Sequence, residues 1–77
     1  MSDGLDLDRA VTAVRAAASA AGDASGNCDA AAHLIERGAI GRAAEEVEWA
    51  EQNARLALHR IAEARAAIAK VAQSGDF

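Results

Sequence analysis

The chain has 77 residues, a single cysteine, no proline or tyrosine, and a formal net charge of −4. This length allows one small domain, one cysteine excludes an internal disulfide, and the acidic balance argues against binding to a nucleic-acid backbone. Alanine fills 23 positions, and Trp49 and Phe77 are the only aromatic residues, a composition typical of long helices and coiled coils.

The N-terminal segment, residues 1–4, contains an acid and no basic residue. The longest uninterrupted apolar runs have three or four residues, whereas a secretory signal or a membrane span needs a much longer run. The sequence therefore predicts a cytoplasmic protein without a signal peptide or membrane span. We expect neither a membrane nor a nucleic acid as its partner.

The first predicted element is a long helix, arm one, over about residues 5–37. Stepping three and then four residues from Leu7 meets no charged residue, and the steps alternate between two heptad positions, a and d. The a positions are Leu7, Val14, Ala21, Cys28 and Ile35, and the d positions are Ala10, Ala17, Ala24, Ala31 and Gly38. We call this a/d stripe the seam and expect it to face a second helix, which would bury Cys28 as a small apolar side chain.

A glycine-containing segment, residues 22–27, lies in the middle of arm one. Asp23 or Ser25 could cap a new helix there. The heptad phase nevertheless continues unchanged, and Gly22 and Gly26 fall outside the seam, where each costs about 1 kcal/mol relative to alanine. We therefore expect a continuous but locally weak helix, with a kink or a short break near 22–26 as the alternative.

The turn is predicted at about residues 38–41, because Gly38 and Gly41 offer a helix cap and a chain reversal. So short a connection makes the flanking helices antiparallel neighbours. Arm two, at about 41–73, continues the seam from Ile40. Its a positions are Ile40, Val47, Ala54, Ile61 and Ile68, and its d positions are Ala43, Ala50, Ala57, Ala64 and Val71.

These elements predict an all-α protein with one helical-hairpin domain over residues 1–77, an alanine-rich antiparallel coiled coil with flexible ends at 1–4 and 74–77. Alanine at the d positions lets the helices approach near the low end of the usual ~8–10 Å, but it leaves a thin core. We therefore expect association into a multi-helix bundle. One candidate contact is a mostly apolar strip beside the seam, which includes Val11 and Leu58.

A second candidate contact is a row on the outer part of arm two, which we call the tryptophan row. Its members, at three-four spacing, are Arg42, Glu46, Trp49, Asn53, Leu56, Arg60 and Glu63. Against an antiparallel copy of itself, the row brings Trp49 onto Leu56 and each acidic member onto an arginine. The simpler interpretation is a solvated helix face with one tryptophan, although tryptophan is enriched at the centres of interfaces.

Few residues have catalytic or ligand-binding potential. Asp29, His33 and Glu36 share one stripe, but the Glu-x-x-His spacing of metal sites in helical bundles is absent, as are phosphate loops and nucleophile motifs. We therefore expect the protein to have no enzymatic activity and no metal or cofactor site. The sequence favours a non-enzymatic self-assembly module that forms a homo-oligomeric bundle or polymer. The alternative is a small adaptor or inhibitor hairpin that binds another helical protein through Trp49 and Leu56.

Overall fold

A computed structural model describes residues 3–73, which form two helices joined by a tight turn. Helix α1 spans Asp3–Glu36 and helix α2 spans Ile40–Gln73, with 34 residues each. The helices pack side by side in a hairpin that measures 57 × 15 × 13 Å. The all-helical hairpin predicted from the sequence is confirmed.

The ends of the helices differ slightly from the predicted ones. Helix α1 begins at Asp3, so residues 3 and 4 are helical although we expected them in a flexible end. The other expected flexible residues, 1–2 and 74–77, lie outside the described residues. The turn is confined to residues 37–39, and Gly41 lies within the first turn of α2.

The end of α1 is capped by a left-handed glycine. Gly38 has a φ of +80°, a conformation that glycine adopts without the steric cost of a Cβ. Its N–H donates to the Ile35 carbonyl at 3.0 Å, and the Ala39 N–H donates to the Leu34 carbonyl at 2.8 Å. This pair of hydrogen bonds is a Schellman cap, and it explains why one glycine is enough to reverse the chain.

Helix α1 runs unbroken through the glycine-containing segment in its middle. Neither Gly22 nor Gly26 has a positive φ, and a Cβ placed on either glycine would meet no heavy atom within 4 Å. Both glycines point into open space, as their heptad positions predicted. The expected continuous helix is confirmed, and the alternative of a break near 22–26 is not.

Replacing Gly22 and Gly26 together by alanine should stabilise the hairpin. The added methyl groups meet no neighbour, and each substitution removes about 1 kcal/mol of unfavourable helix propensity. Urea denaturation at a fixed protein concentration measures the gain. Gly38→Ala serves as the matched control and should lose about 1 kcal/mol, because its φ of +80° strains an alanine. A double variant that is less stable than the wild type would contradict the helical geometry of residues 22–26.

The two helices meet through small side chains. Seven alanines at d positions are only 3 to 8% exposed: Ala10, Ala17, Ala31, Ala43, Ala50, Ala57 and Ala64. Ala24 is half-buried. The d positions therefore lie between the helices, as the seam predicted.

The a positions, in contrast, do not lie between the helices, which corrects the other half of the predicted seam. Every a position is exposed, whereas the g positions, each one residue before an a position, are buried or half-buried. These g residues are Asp6, Ala13, Ala20, Asn27 and Leu34 in α1, and Glu46, Asn53, Arg60 and Ala67 in α2. The hairpin is thus closed by d and g positions, and the exposed a positions include Cys28, which we expected to be buried.

This rotation of the helices has a physical cause. Bulky aliphatic side chains between the helices would hold the backbones apart, whereas alanines contact one another only when the backbones approach closely. Turning each helix toward its g positions allows that approach. It also brings polar side chains at g into hydrogen-bonding distance, and it leaves the large a residues on one side of the hairpin.

Candidate interaction surfaces

One broad side of the hairpin is mostly aliphatic, and we call it the apolar face. It combines the a positions with the e positions, which follow them by four residues and include Val11 and Leu58. Nine of its side chains are large aliphatic residues that are 44 to 67% exposed: Leu7, Val11, Val14, Ile35, Ile40, Val47, Leu58, Ile61 and Ile68. Most of the remaining members are alanines, and its only charged members are Glu51 and Arg65.

Both helices contribute to the apolar face, because an antiparallel pair places the same heptad letters on the same side. Near the open end of the hairpin, Leu7 of α1 and Ile68 of α2 line one apolar depression. Near the turn, Ile35 lines another depression together with Ile40 and Val47. The aliphatic residues therefore form one surface along the hairpin and not two separate stripes.

The side of the hairpin that carries the apolar face is about as large as one partner's share of a stable protein interface. The long and wide dimensions of the hairpin, 57 and 15 Å, give a footprint on the order of 850 Å², close to the ~800 Å² that each partner contributes to a standard interface. Monomeric proteins rarely expose contiguous apolar patches of more than a few hundred Å². This face is therefore the foremost candidate for an interaction surface.

The opposite side of the hairpin carries the c and g positions and, with them, the tryptophan row. Trp49 and Leu56, at c positions, are 58% and 42% exposed. We expected the whole tryptophan row to lie on the outer surface, but part of it does not. Its g members Glu46, Asn53 and Arg60 are half-buried, because g positions flank the contact between the helices.

Three polar side chains form a hydrogen-bonded cluster across the hairpin on this side. The Asn27 side-chain amide donates to Oε1 of Glu46 at 2.9 Å, and the Asn53 amide donates to Oδ1 of Asn27 at 2.7 Å. Hydrogen bonds of this kind contribute about 0.5–3 kcal/mol each, with the charged acceptor at the upper end. This cluster was not predicted from the sequence, although polar residues at facing g positions were a signal that could have revealed it.

The cluster bears on the self-pairing that we predicted for the tryptophan row. In that pairing Glu46 would contact Arg60 of a second copy, and Asn53 would contact its own equivalent. Within one chain, however, Glu46 and Asn53 are already hydrogen-bonded to Asn27. Self-pairing through this row would therefore exchange existing hydrogen bonds for new ones, which lowers the net gain from association.

Arg60 and Glu63, two further charged members of the row, are paired with each other within α2. The Arg60 guanidinium donates to Glu63 at 2.8 Å, and Nε2 of His59 lies 3.9 Å from the same carboxylate. The hydrogen bond from Arg60, together with the positive charge of Arg60, lowers the pKa of Glu63 below its ordinary value. Such exposed pairs within one helix contribute little to stability, but they show that Glu63 has a local partner.

Within residues 3–73, no three or more His, Cys, Asp or Glu side chains are grouped so that they could hold a metal ion. Cys28 lies exposed on the apolar face. Over the same residues, neither helix has an apolar stretch that is long enough to cross a membrane.

Comparison with known proteins adds no relative: no family model, curated protein or solved structure matches the chain. The hairpin itself offers two surfaces of different character. One is the apolar face, wide and poor in charge, and the other is the polar side with the exposed Trp49. Both are suited to contact with another protein chain.

Proposed function

We propose that the protein is a non-enzymatic self-assembly module whose copies associate through the apolar face into a homo-oligomeric helical bundle. The observation that supports this most is the row of nine large aliphatic side chains on one side of the hairpin. Removing apolar surface from water contributes about 25 cal/mol per Å². Association of this face is therefore the strongest driving force that the hairpin has available.

The hairpin's own core points to the same function. Within residues 3–73, the buried side chains are those of eight alanines and Val71. A core of this composition contributes little hydrophobic stabilisation, and domains of fewer than about 80 residues rarely have much to spare. A second hairpin on the apolar face would add the leucine, isoleucine and valine side chains that a helical bundle normally buries.

The direction of the side chains fits a four-helix bundle. Successive residues of a helix are about 100° apart, and the direction toward the other helix of the hairpin lies between the d and g positions. The a positions are therefore turned about 80° and the e positions about 130° from that direction. Side chains at a point nearly straight out of the apolar face, where a second hairpin would cover them, and side chains at e lie along its outer edge.

The association state of the purified wild-type protein tests this function. Sedimentation equilibrium should show a dimer or a higher assembly. The thermal midpoint should also rise with protein concentration, because association stabilises the folded hairpin by mass action. A folded monomer whose midpoint is independent of concentration would overturn the proposal.

A second candidate function is an adaptor or inhibitor hairpin that binds a different helical protein through Trp49 and Leu56. The exposure of both side chains on the side opposite the apolar face favours it, since tryptophan is enriched among the residues that dominate binding energy. In that case the isolated protein should be monomeric and only partly helical. Circular dichroism together with sedimentation distinguishes this state from a self-assembled bundle.

A further inference from the structure

The e positions of α2 form a sequence that is symmetrical about its centre. At seven-residue spacing they are Ala44, Glu51, Leu58, Arg65 and Ala72. A two-fold rotation about Leu58 exchanges Ala44 with Ala72 and Glu51 with Arg65. The row is therefore complementary in size and in charge to an antiparallel copy of itself.

The central residues of this row are available for contact. Leu58 is 67% exposed, the highest value among the large aliphatic residues of the described chain. Glu51 accepts a hydrogen bond from Arg55 on its own helix, but its side chain remains largely exposed. Arg65 is exposed too and has no ion-pair partner among residues 3–73. Both charges of the apolar face can therefore take a partner from another chain.

The two-fold axis through Leu58 also allows α1 to pack on the α1 of a second copy. The helices are equal in length and joined at the turn, so two residues that lie side by side, at the same level of the hairpin, have numbers that add to 76. The helix ends, residues 3 and 73, are one such pair. Ala18, an e position, is therefore level with Leu58. A small residue at this point lets α1 lie closely on the α1 of a second copy.

On these grounds we propose that the apolar face binds a second copy of the chain in one orientation. The two hairpins lie antiparallel with their turns at opposite ends, Leu58 lies on the two-fold axis, and Glu51 of each copy pairs with Arg65 of the other. This orientation rests on the proposed self-assembly function, which supplies the second copy. Each ion pair then occurs twice by symmetry.

The competing orientation places both turns at the same end, so that α1 lies on α2 of the other copy. Residues at the same level would then meet, which puts Glu51 on Ser25 and Arg65 on Val11. Arg65 would have no ion-pair partner in the interface, and Glu51 would keep only Arg55 of its own helix. Unpaired charges in an apolar contact are costly. The antiparallel orientation avoids this cost.

The overall charge of the hairpin favours the same orientation. The half nearer the turn, residues 22–55, holds seven acidic and three basic residues, whereas the described remainder, 3–21 and 56–73, holds four acidic and five basic residues. Turns at the same end would place one strongly acidic half on another. Turns at opposite ends place each acidic half on a slightly basic one, which electrostatic complementarity favours.

A charge exchange tests the contact between Glu51 and Arg65. Glu51→Arg and Arg65→Glu should each weaken association by about tenfold or more, because each variant opposes like charges at two symmetrical places. The double variant should regain most of the loss. Glu45→Arg is the matched control, since it makes the same charge change at an exposed position on the same helix but away from the apolar face, and it should have a smaller effect. Sedimentation equilibrium of the wild type, the two single variants, the double variant and the control measures their association constants.

Cysteine cross-linking tests the orientation independently, in a Cys28→Ser background. Leu58→Cys, and separately Ala18→Cys, should each form a disulfide-linked dimer on mild oxidation, because each residue meets its own equivalent at the two-fold. The competing orientation predicts a cross-link only between the two variants when they are mixed.

The outcomes distinguish the proposed orientation from the proposed self-assembly function on which it rests. A wild-type protein that does not associate overturns the proposed function itself. An associating wild type whose charge exchange shows no recovery, or which cross-links only as the mixture of the two cysteine variants, overturns the orientation and leaves self-assembly standing. Recovery in the double variant together with self-linking at residue 58 supports both.

Discussion

Ala57→Leu should destabilise the hairpin by about 1–3 kcal/mol, because it forces a large side chain into the closest contact between the helices. Ala57 is a buried d residue of α2, and the d alanines are what allow the helices to approach. A larger side chain at this position must either separate the backbones or adopt a strained rotamer. Urea denaturation at one fixed protein concentration measures the loss, since stability and association are linked.

Ala62→Leu is the matched control for this substitution. It places the same side chain on the same helix at an exposed position, where we expect a change of less than about 0.5 kcal/mol. Equal stability of Ala57→Leu and the wild type would mean that Ala57 does not lie between the helices. The d positions would then not form the hairpin contact.

The hairpin could be predicted from the sequence because its signals are local. The uncharged heptad stripe runs the length of both arms, and Gly38 sits where a helix needs a residue with positive φ. The continuity of α1 through Gly22 and Gly26 was predictable for the same reason, since the heptad phase does not shift there. Each of these features depends on residues that are close together in the chain.

The rotation of the helices about their own axes could not be predicted in the same way. Positions a, d and g are neighbours on the helix surface, and in this chain a and d are both free of charge, so periodicity alone assigns both to the inside. The choice between a and g depends on contacts across the hairpin, such as the hydrogen bonds from Asn27 to Glu46 and from Asn53 to Asn27. Those partners are 19 and 26 residues apart, and no local pattern joins them.

The incorrect assignment of a positions to the helix contact also limited the prediction of the interaction surfaces. Val11 and Leu58 were recognised as part of an apolar strip, but residues such as Val47 and Ile61 were assigned to the interior of the hairpin. Once the a positions are known to be exposed, the strip becomes a face with nine large aliphatic side chains. The tryptophan row was placed on the outside because its g positions were not recognised as part of the helix contact.

Ile61→Asp should have the largest effect on self-association of any substitution described for this protein. Ile61 is an exposed a residue on the apolar face, and in the proposed bundle it points directly at the second hairpin. The substitution removes about 2 kcal/mol of hydrophobic burial from each copy and places an unpaired carboxylate in an apolar contact. We therefore expect association to weaken by at least ~3 kcal/mol, or more than about a hundredfold.

Trp49→Ala is the control that assigns the loss to one side of the hairpin. Trp49 is larger and more exposed than Ile61 and lies on the opposite side of the hairpin, so self-association through the apolar face should not change when Trp49 is replaced. Sedimentation equilibrium of the wild type, Ile61→Asp and Trp49→Ala decides between the two surfaces. If Trp49→Ala weakens association by about 2 kcal/mol or more while Ile61→Asp leaves it intact, copies meet through the tryptophan row. In that case the hydrogen bonds of Glu46 and Asn53 to Asn27 must be exchanged when the copies associate.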